Sequence, residues 1–431
     1  MEEEQVKQSG KFVYDFIKDV IDETGPRLPG TPEERRGAEI IGERAQEITG
    51  TPSVTERFTL HDRASIGAIP VLGICGLISF ALFYLSPIAT LVASALCLIF
   101  AVVQIFTYKG WFDFLFPKSE SQNVYSILPP KDGQPVKYTL MFSGHVDSCW
   151  NWNLSLKNPA TAIPKIVIGV VGFFVMMIIS SVAIALGAYS FKTIAYLASL
   201  PALGGREIFM IVLYCLPVIT VPGSYWLSEY LTWDKTKASP GAMDNLSGIG
   251  IALATVKYLK ENPSAHPDGC RVIVAGLGAE EASLKGASAF VDKHRDDGML
   301  DNLYVINLDS FRDDKYFSAV KGDAWLMSRF DRGLVDITKE AMREALGSDA
   351  TDTCPGEMLN PVGGCDSTPF CRAGVKTVTL CAQKPTLTDY YHTCKDTVEG
   401  LSMYSLEKGF LTAINMIPKI DAYHASLGGE K

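Results

Sequence analysis

Charge is scarce in this chain. Asp, Glu, Lys and Arg make up 20% of its 431 residues, and acidic residues outnumber basic ones 48 to 39, for a net charge of −9. So few cations exclude a basic nucleic-acid binder. A hydrophobic content of 47% excludes a disordered chain. The ten cysteines are too sparse for a small disulfide scaffold, and none are spaced C-x-x-C, so a cysteine zinc site is not indicated. From Met1 to Lys11 the chain is polar and lacks the basic start, apolar stretch and cleavage site of a secretory signal. That favours reduced thiols, although five cysteines fall between 354 and 394. Internal repeats and low-complexity tracts are also missing.

What is present is hydrophobicity in blocks. Residues 64–108 form a run of 45 positions without a charged side chain. A helix crosses a bilayer core in about 20 apolar residues, so the run holds two crossings. Ser86-Pro87 at its centre suits the turn, giving helices over about 66–85 and 88–107. Further charge-free runs cover 166–191 and 208–228. Pro217 and Pro222 weaken the last one, while Tyr225 and Trp226 suit a membrane interface. The expectation is a multi-pass integral membrane protein with two hairpins, 64–108 and 160–228, in contact with a lipid bilayer. Two even hairpins leave the rest on one side. Eight Lys and Arg flank the membrane ends there (57, 63, 109, 118, 157, 165, 235 and 237) against Lys192 and Arg206 opposite. This asymmetry predicts a cytoplasmic globular part.

The remainder, 1–63, 109–159 and 229–431, reads as one discontinuous α/β domain: a mixed central sheet flanked by helices. Thr31 is a helix cap followed by Pro32, Glu33 and Glu34 in the first turn. Ala38, Ile41, Ala45 and Ile48 give that helix an apolar face. Val54–Leu60, Val124–Leu128, Tyr138–Phe142, Arg271–Leu277, Leu303–Leu308 and Lys376–Cys381 read as strands. Ile249–Leu259 and Leu401–Ile417 read as helices.

Polar clusters stand at the ends of these apolar runs: Gly144-His145-Val146-Asp147-Ser148, Ala242-Met243-Asp244-Asn245, Ala279-Glu280-Glu281, Asn307-Leu308-Asp309-Ser310 and Tyr391-His392-Thr393. In α/β sheets, strand ends and the loops after them build the site. Two histidines and several carboxylates so placed form a divalent-metal ligand set. Each piece alone is unremarkable; the ordered set is not. The other histidines, 61, 266, 294 and 424, have no such context.

In this order the clusters resemble the zinc exopeptidases with a two-metal site, the group containing bacterial secreted aminopeptidases and glutamate carboxypeptidase. The resemblance extends to Gly25-Pro26-Arg27, Gly30-Thr31-Pro32, Asn123-Val124, Gly364-Cys365-Asp366-Ser367-Thr368-Pro369-Phe370 and Tyr391-His392-Thr393-Cys394-Lys395-Asp396-Thr397. It implies two zinc ions. His145, Asp244 and Asp309 would hold one, and Asp244, Glu281 and His392 the other, with Asp244 bridging. Glu280 would be the general base, and Asp147 would hydrogen-bond His145 and fix its ring. A cis peptide is expected at Asp244-Asn245. Two metals roughly 3.5–4 Å apart need a shared carboxylate to offset their repulsion, and they lower the pKa of a bound water. Glu280 would take that water's proton as it attacks the peptide carbonyl, then pass it to the leaving amine. Tyr391 is a candidate oxyanion donor, and Asp366 and Ser367 are candidate substrate residues.

The chain departs from the family at Cys365-Asp366-Ser367, where many relatives carry Ser-Asp-His, and at Glu399, which replaces an Asp. The largest departure is the hydrophobic hairpins. The leading expectation is a membrane-embedded aminopeptidase. The alternatives are an amidohydrolase of N-acyl amino acids, a carboxypeptidase, or a non-catalytic receptor or chaperone on a peptidase fold. A meander of the first three strands would bring both hairpins out at the sheet edge carrying His145. The expected substrate is therefore a peptide or hydrophobic aminoacyl compound reached from the membrane.

Overall fold

The protein is described from a computed structural model, which covers residues 2–65, 67–187, 191–202, 204–228 and 237–428. Position 66 (the expected start of the first apolar helix), position 229 (the expected resumption of the globular part) and Lys235 lie outside the described residues. The chain divides into two compact units. One comprises 1–62, 118–151 and 234–431; the other comprises 63–117 and 152–233.

The first unit is built on an eight-stranded mixed sheet in the order β1-β2-β4-β3-β5-β8-β6-β7. The strands are β1 Val54–Leu60, β2 Ser119–Leu128, β3 Tyr138–His145, β4 Cys270–Leu277, β5 Leu303–Phe311, β6 Phe317–Asp323, β7 Gly356–Asn360 and β8 Lys376–Ala382. The central four, β4, β3, β5 and β8, are parallel, and their sequences are continuous apolar runs because both faces are covered. Alternation by two splits them cleanly. Leu140, Phe142, Val272, Val274 and Ile306 enter the larger core, with Val13, Phe16, Ile41, Ile251 and Phe410 from helices. Met141, Ile273, Ala275 and Val305 face the smaller core around Phe290 and Phe370.

Helices Glu3–Thr24, Pro32–Thr49, Gly248–Glu261, Arg332–Leu346 and Met403–Gly428 supply the larger core. The Thr31 side chain caps the second of them by accepting from the Glu34 amide. The six expected strands and three expected helices all form. The helix Glu3–Thr24, the helix Arg332–Leu346 and the strands β6 and β7 add to them.

The expected meander does not form. β4 stands between β2 and β3, antiparallel to the first and parallel to the second. Sequence neighbours are usually space neighbours, but here the buried strand Cys270–Leu277 is the better partner on both sides. The geometric consequence survives. Leu60 pairs with Ser119, Val124 with Gly276, and His145 with Leu277, so the end of β1, the start of β2 and His145 share one sheet edge.

The second unit holds four helices long and apolar enough to cross a membrane: Ala68–Leu85, Pro87–Phe106, Pro159–Ala185 and Gly205–Ser228. Ser86 accepts from the Ala89 amide, and Pro87 occupies the first helical position. The fourth span tightens through Leu216–Thr220 at Pro217 before continuing as Val221–Ser228. Small residues set the packing: a Cβ at Gly76 would lie 2.2 Å from Ser224 Oγ, and one at Gly223 would lie 2.9 Å from Gly169 Cα.

Candidate metal centre

The carboxyl edge of the sheet gathers the five predicted metal ligands. His145 ends β3, Asp309 sits near the end of β5, Glu280 and Glu281 follow β4, His392 follows β8, and Asp244 precedes the helix Gly248–Glu261. Local hydrogen bonds fix each loop. Asp396 accepts from the Met243 and Asp244 amides at 2.8 and 3.1 Å. Asn245 donates to the Leu308 carbonyl and accepts from the Gly248 and Ser310 amides, tying the Asp244 loop to the end of β5. Only glycine fits at 248, because a Cβ would lie 2.0 Å from the Leu308 carbonyl oxygen. The Asp244-Asn245 peptide is cis, as expected. Ala279, Ser310 and His392 adopt positive φ of 53°, 58° and 54°. Such backbone strain gathers where surrounding structure dictates side-chain direction.

Asp244 is the hub. Its Oδ1 lies 2.9 Å from His145 Nε2, and its Oδ2 lies 3.0 Å from His392 Nε2. Donor atoms of His145, Asp244 and Asp309 fall within 4.8 Å of one another; so do those of Glu281, His392 and Cys149. Asp244 Oδ2 and Glu281 Oε1 are buried, with the His392 Nε2 atom 3.0 and 3.3 Å away. Burial pushes Glu280 well above the usual carboxylate range, Glu281 up to about 7 and Asp309 up to about 6. Burial also works to lower His145, but the carboxylates of Asp147, Asp244 and Glu280 overcome it and raise the ring well above its ordinary value. Buried carboxylates call for cations, and an N/O donor set with one shared carboxylate fits two zinc ions.

Asp147 supports the centre differently from the expectation. His145 Nδ1 lies 3.1 Å from the Asp147 backbone carbonyl and 3.6 Å from its carboxylate, so the carbonyl holds the ring. The carboxylate instead accepts from the Glu280 and Glu281 amides at 3.0 and 2.9 Å.

Glu280 and Tyr391 line the small cavity beside the ligands, about 70 Å³ in volume. Tyr391 stacks on His392, with ring centroids 3.8 Å apart. Asp366 and Ser367 do not line this cavity. Asp366 is fully buried, with neither carboxylate oxygen hydrogen-bonded, and burial pushes it up to about 8. Ser367 is held against β8 by Thr377 and Thr379. Their neighbours Gly364 and Cys365 form the wall in their place.

Sequence reasoning also missed the work done by residues 27–34. Arg27 is fully buried and donates to the carbonyls of Gly25, Val146, Pro240 and Gly241. Glu34 accepts from the Gly30 and Ala279 amides and the Ser121 hydroxyl. Together they brace the loops carrying His145, Asp244 and Glu280. The signal was the Gly25-Pro26-Arg27 motif, recognised without a role.

Residues 233–417 match the profile of peptidase family M28. The likeness to that family lies in the second half of the chain. Aminopeptidase YwaD of Bacillus subtilis is 28% identical over 182 residues, which span 41% of this chain and 37% of that protein. The match thus spans little more than a third of that relative's length. Among solved structures, an aminopeptidase from Aneurinibacillus sp. strain AM-1 superposes with a TM-score of 0.53 at 11% identity, covering 96% of this chain and 95% of the other. A zinc aminopeptidase from Bacillus subtilis gives 0.50 at 15% identity over 94% of each chain. A glutaminyl cyclase from an Acidobacteriales bacterium gives 0.51 at 13% identity over 96% and 95%. At these identities the structural likenesses speak for the fold alone.

Proposed function

We propose that the chain is a membrane-embedded two-zinc aminopeptidase. The observation that carries the metal count is Asp244, which offers one carboxylate oxygen to each of the two histidine-bearing ligand groups. His145, Asp244 and Asp309 would hold one zinc; Asp244, Glu281 and His392 would hold the other. Bound zinc supplies a Lewis acid and a water of lowered pKa. Glu280, on the cavity wall with its backbone amide pinned by Asp147, takes the proton of the attacking water and returns it to the departing amine. Tyr391 lines the same wall and would donate to the oxyanion.

The four apolar helices support embedding in a bilayer, and the flanking Lys and Arg favour a cytoplasmic peptidase unit. Within the peptidase unit, the chain leaves at Leu60 and returns at Ser119, paired at the ligand-bearing edge. It leaves again after Trp150, which bridges to Ala238 on the return. The first two passages belong to the edge that carries His145. This supports substrates that are hydrophobic or membrane-anchored peptides.

A peptide-library digest read by mass spectrometry tests the reading, with Glu280→Gln as control. Loss of single N-terminal residues, absent from the control, is the expected result. C-terminal or acyl cleavage would replace the aminopeptidase reading with a carboxypeptidase or amidohydrolase. Parallel assays with a short soluble aminoacyl substrate and a hydrophobic peptide in liposomes test the substrate class, and equal rates would reject it.

A further inference from the structure

Cys149 played no part in the sequence-based ligand set, yet the fold places it inside the centre. It lies four residues beyond His145, on the loop whose Asp147 carboxylate holds the Glu280 and Glu281 amides. Its backbone is fastened on two further sides. The Cys149 carbonyl accepts from the Ser239 amide at 2.9 Å, and Asn151, two residues on, accepts from the Cys394 amide at 2.9 Å, next to the His392 loop. The side chain is 1% exposed. Its Sγ, a Glu281 carboxylate oxygen and a His392 ring nitrogen all fall within 4.8 Å of one another. Glu281 Oε1, buried beside it, has the His392 Nε2 atom 3.3 Å away.

We propose that Cys149 is a thiolate ligand of the metal held by Glu281 and His392. The inference rests on the two-metal reading above and extends it. It makes the two metal positions chemically unequal. The His145–Asp244–Asp309 position has nitrogen and oxygen donors, whereas the Cys149–Glu281–His392 position adds sulfur. A soft donor favours zinc over magnesium or manganese. It also places a second negative donor beside Glu281, which tightens that metal and moderates its Lewis acidity. Coordination takes the sulfur as thiolate, with its proton released to solvent.

The test is cobalt(II) reconstitution of the metal-stripped, full-length protein in detergent, read by absorption. Two bound equivalents with a near-ultraviolet thiolate-to-cobalt charge-transfer band are expected. Cys149→Ser should lose that band and bind one of the two equivalents roughly tenfold or more weakly. Cys394→Ser, beside His392, and Cys365→Ser, on the cavity wall, should keep it. Two bound cobalt ions without the band, or a band that survives Cys149→Ser, would overturn the proposal while leaving the two-metal reading intact. Failure to bind cobalt at all would overturn both. Cadmium NMR of the unsubstituted protein gives a readout that does not depend on the variant folding. One of two resonances should be displaced to the thiolate region and unmoved by Cys365→Ser or Cys394→Ser; two resonances in the nitrogen–oxygen region would reject the ligand.

Discussion

The two units of this chain solve opposite burial problems. In the apolar-helix unit small residues let the helices meet, as at Gly76 against Ser224, within a core that also holds Phe83, Met176 and Leu213. The outside is bare hydrocarbon: Leu96 is 61% exposed and Ile78 52%. The sheet unit puts its hydrocarbon inside and, at one sheet edge, buries carboxylates as well. Asp147 and Asp396 accept from backbone amides and Asp244 lies between the rings of His145 and His392, while Glu280 and Asp309 stand beside them, with Arg27 braced behind. Hydrocarbon outward is stable only where the solvent is lipid. Buried carboxylates are stable only where cations or fixed donors answer them. The difference shows that the long charge-free runs belong to one unit, while the other buries a cluster of carboxylates at one sheet edge.

The sharpest way to break this contrast is at the edge. Glu280→Gln removes the proposed proton carrier but none of the proposed ligands. Turnover should fall about 10²- to 10⁴-fold with zinc content unchanged, measured by steady-state rates and metal analysis on one preparation. Next in size is the core of the sheet unit, where Phe410→Ala empties a fully buried site. That should cost about 3–5 kcal/mol in denaturant unfolding of the sheet unit.

A charge placed on the exposed apolar face tests the other unit. Leu96→Arg, midway along Pro87–Phe106, should cost about 2.5–3.5 kcal/mol in insertion, seen as a lower membrane-integrated fraction. An unchanged fraction would mean that this face meets water. The smallest effect belongs to a surface network. Arg332, Lys321 and Lys339 hold Glu357 down from 4.5 to about 2. Its contribution to stability is therefore complete above about pH 4.5 and is lost as pH falls towards 2. Glu357→Gln should be slightly destabilising near neutrality, and the difference should shrink on acidification through that window, followed by denaturant midpoints.

The legibility of the sequence follows the same contrast. The central strands were readable because a strand buried on both faces is a continuous apolar run, as in Arg271–Leu277 and Leu303–Leu308. β7 was not, because Gly356–Asn360 is an edge strand with every residue only half-buried, and its pattern has no clear face. The helix Glu3–Thr24 was overlooked behind its polar start, although Val13, Phe16, Ile17 and Val20 carry the helical spacing and are all buried. The order of β2, β4 and β3 depends on pairing across more than a hundred residues, which local pattern does not encode. At the centre, the ligand order was legible from His145 to His392. The positions of Cys149 and Arg27 were not, since they depend on loops from distant strands meeting, and a lone cysteine or a short Gly-Pro-Arg motif does not say what it will touch.

The central claim is that Asp244 joins two metal positions at the catalytic edge. The most direct measurement is zinc content per chain in the full-length protein purified in detergent, beside folded Asp244→Ala. Two zinc ions in the unsubstituted protein and fewer than one in the variant is the predicted result. A single zinc in the unsubstituted protein, or two retained without Asp244, would contradict it.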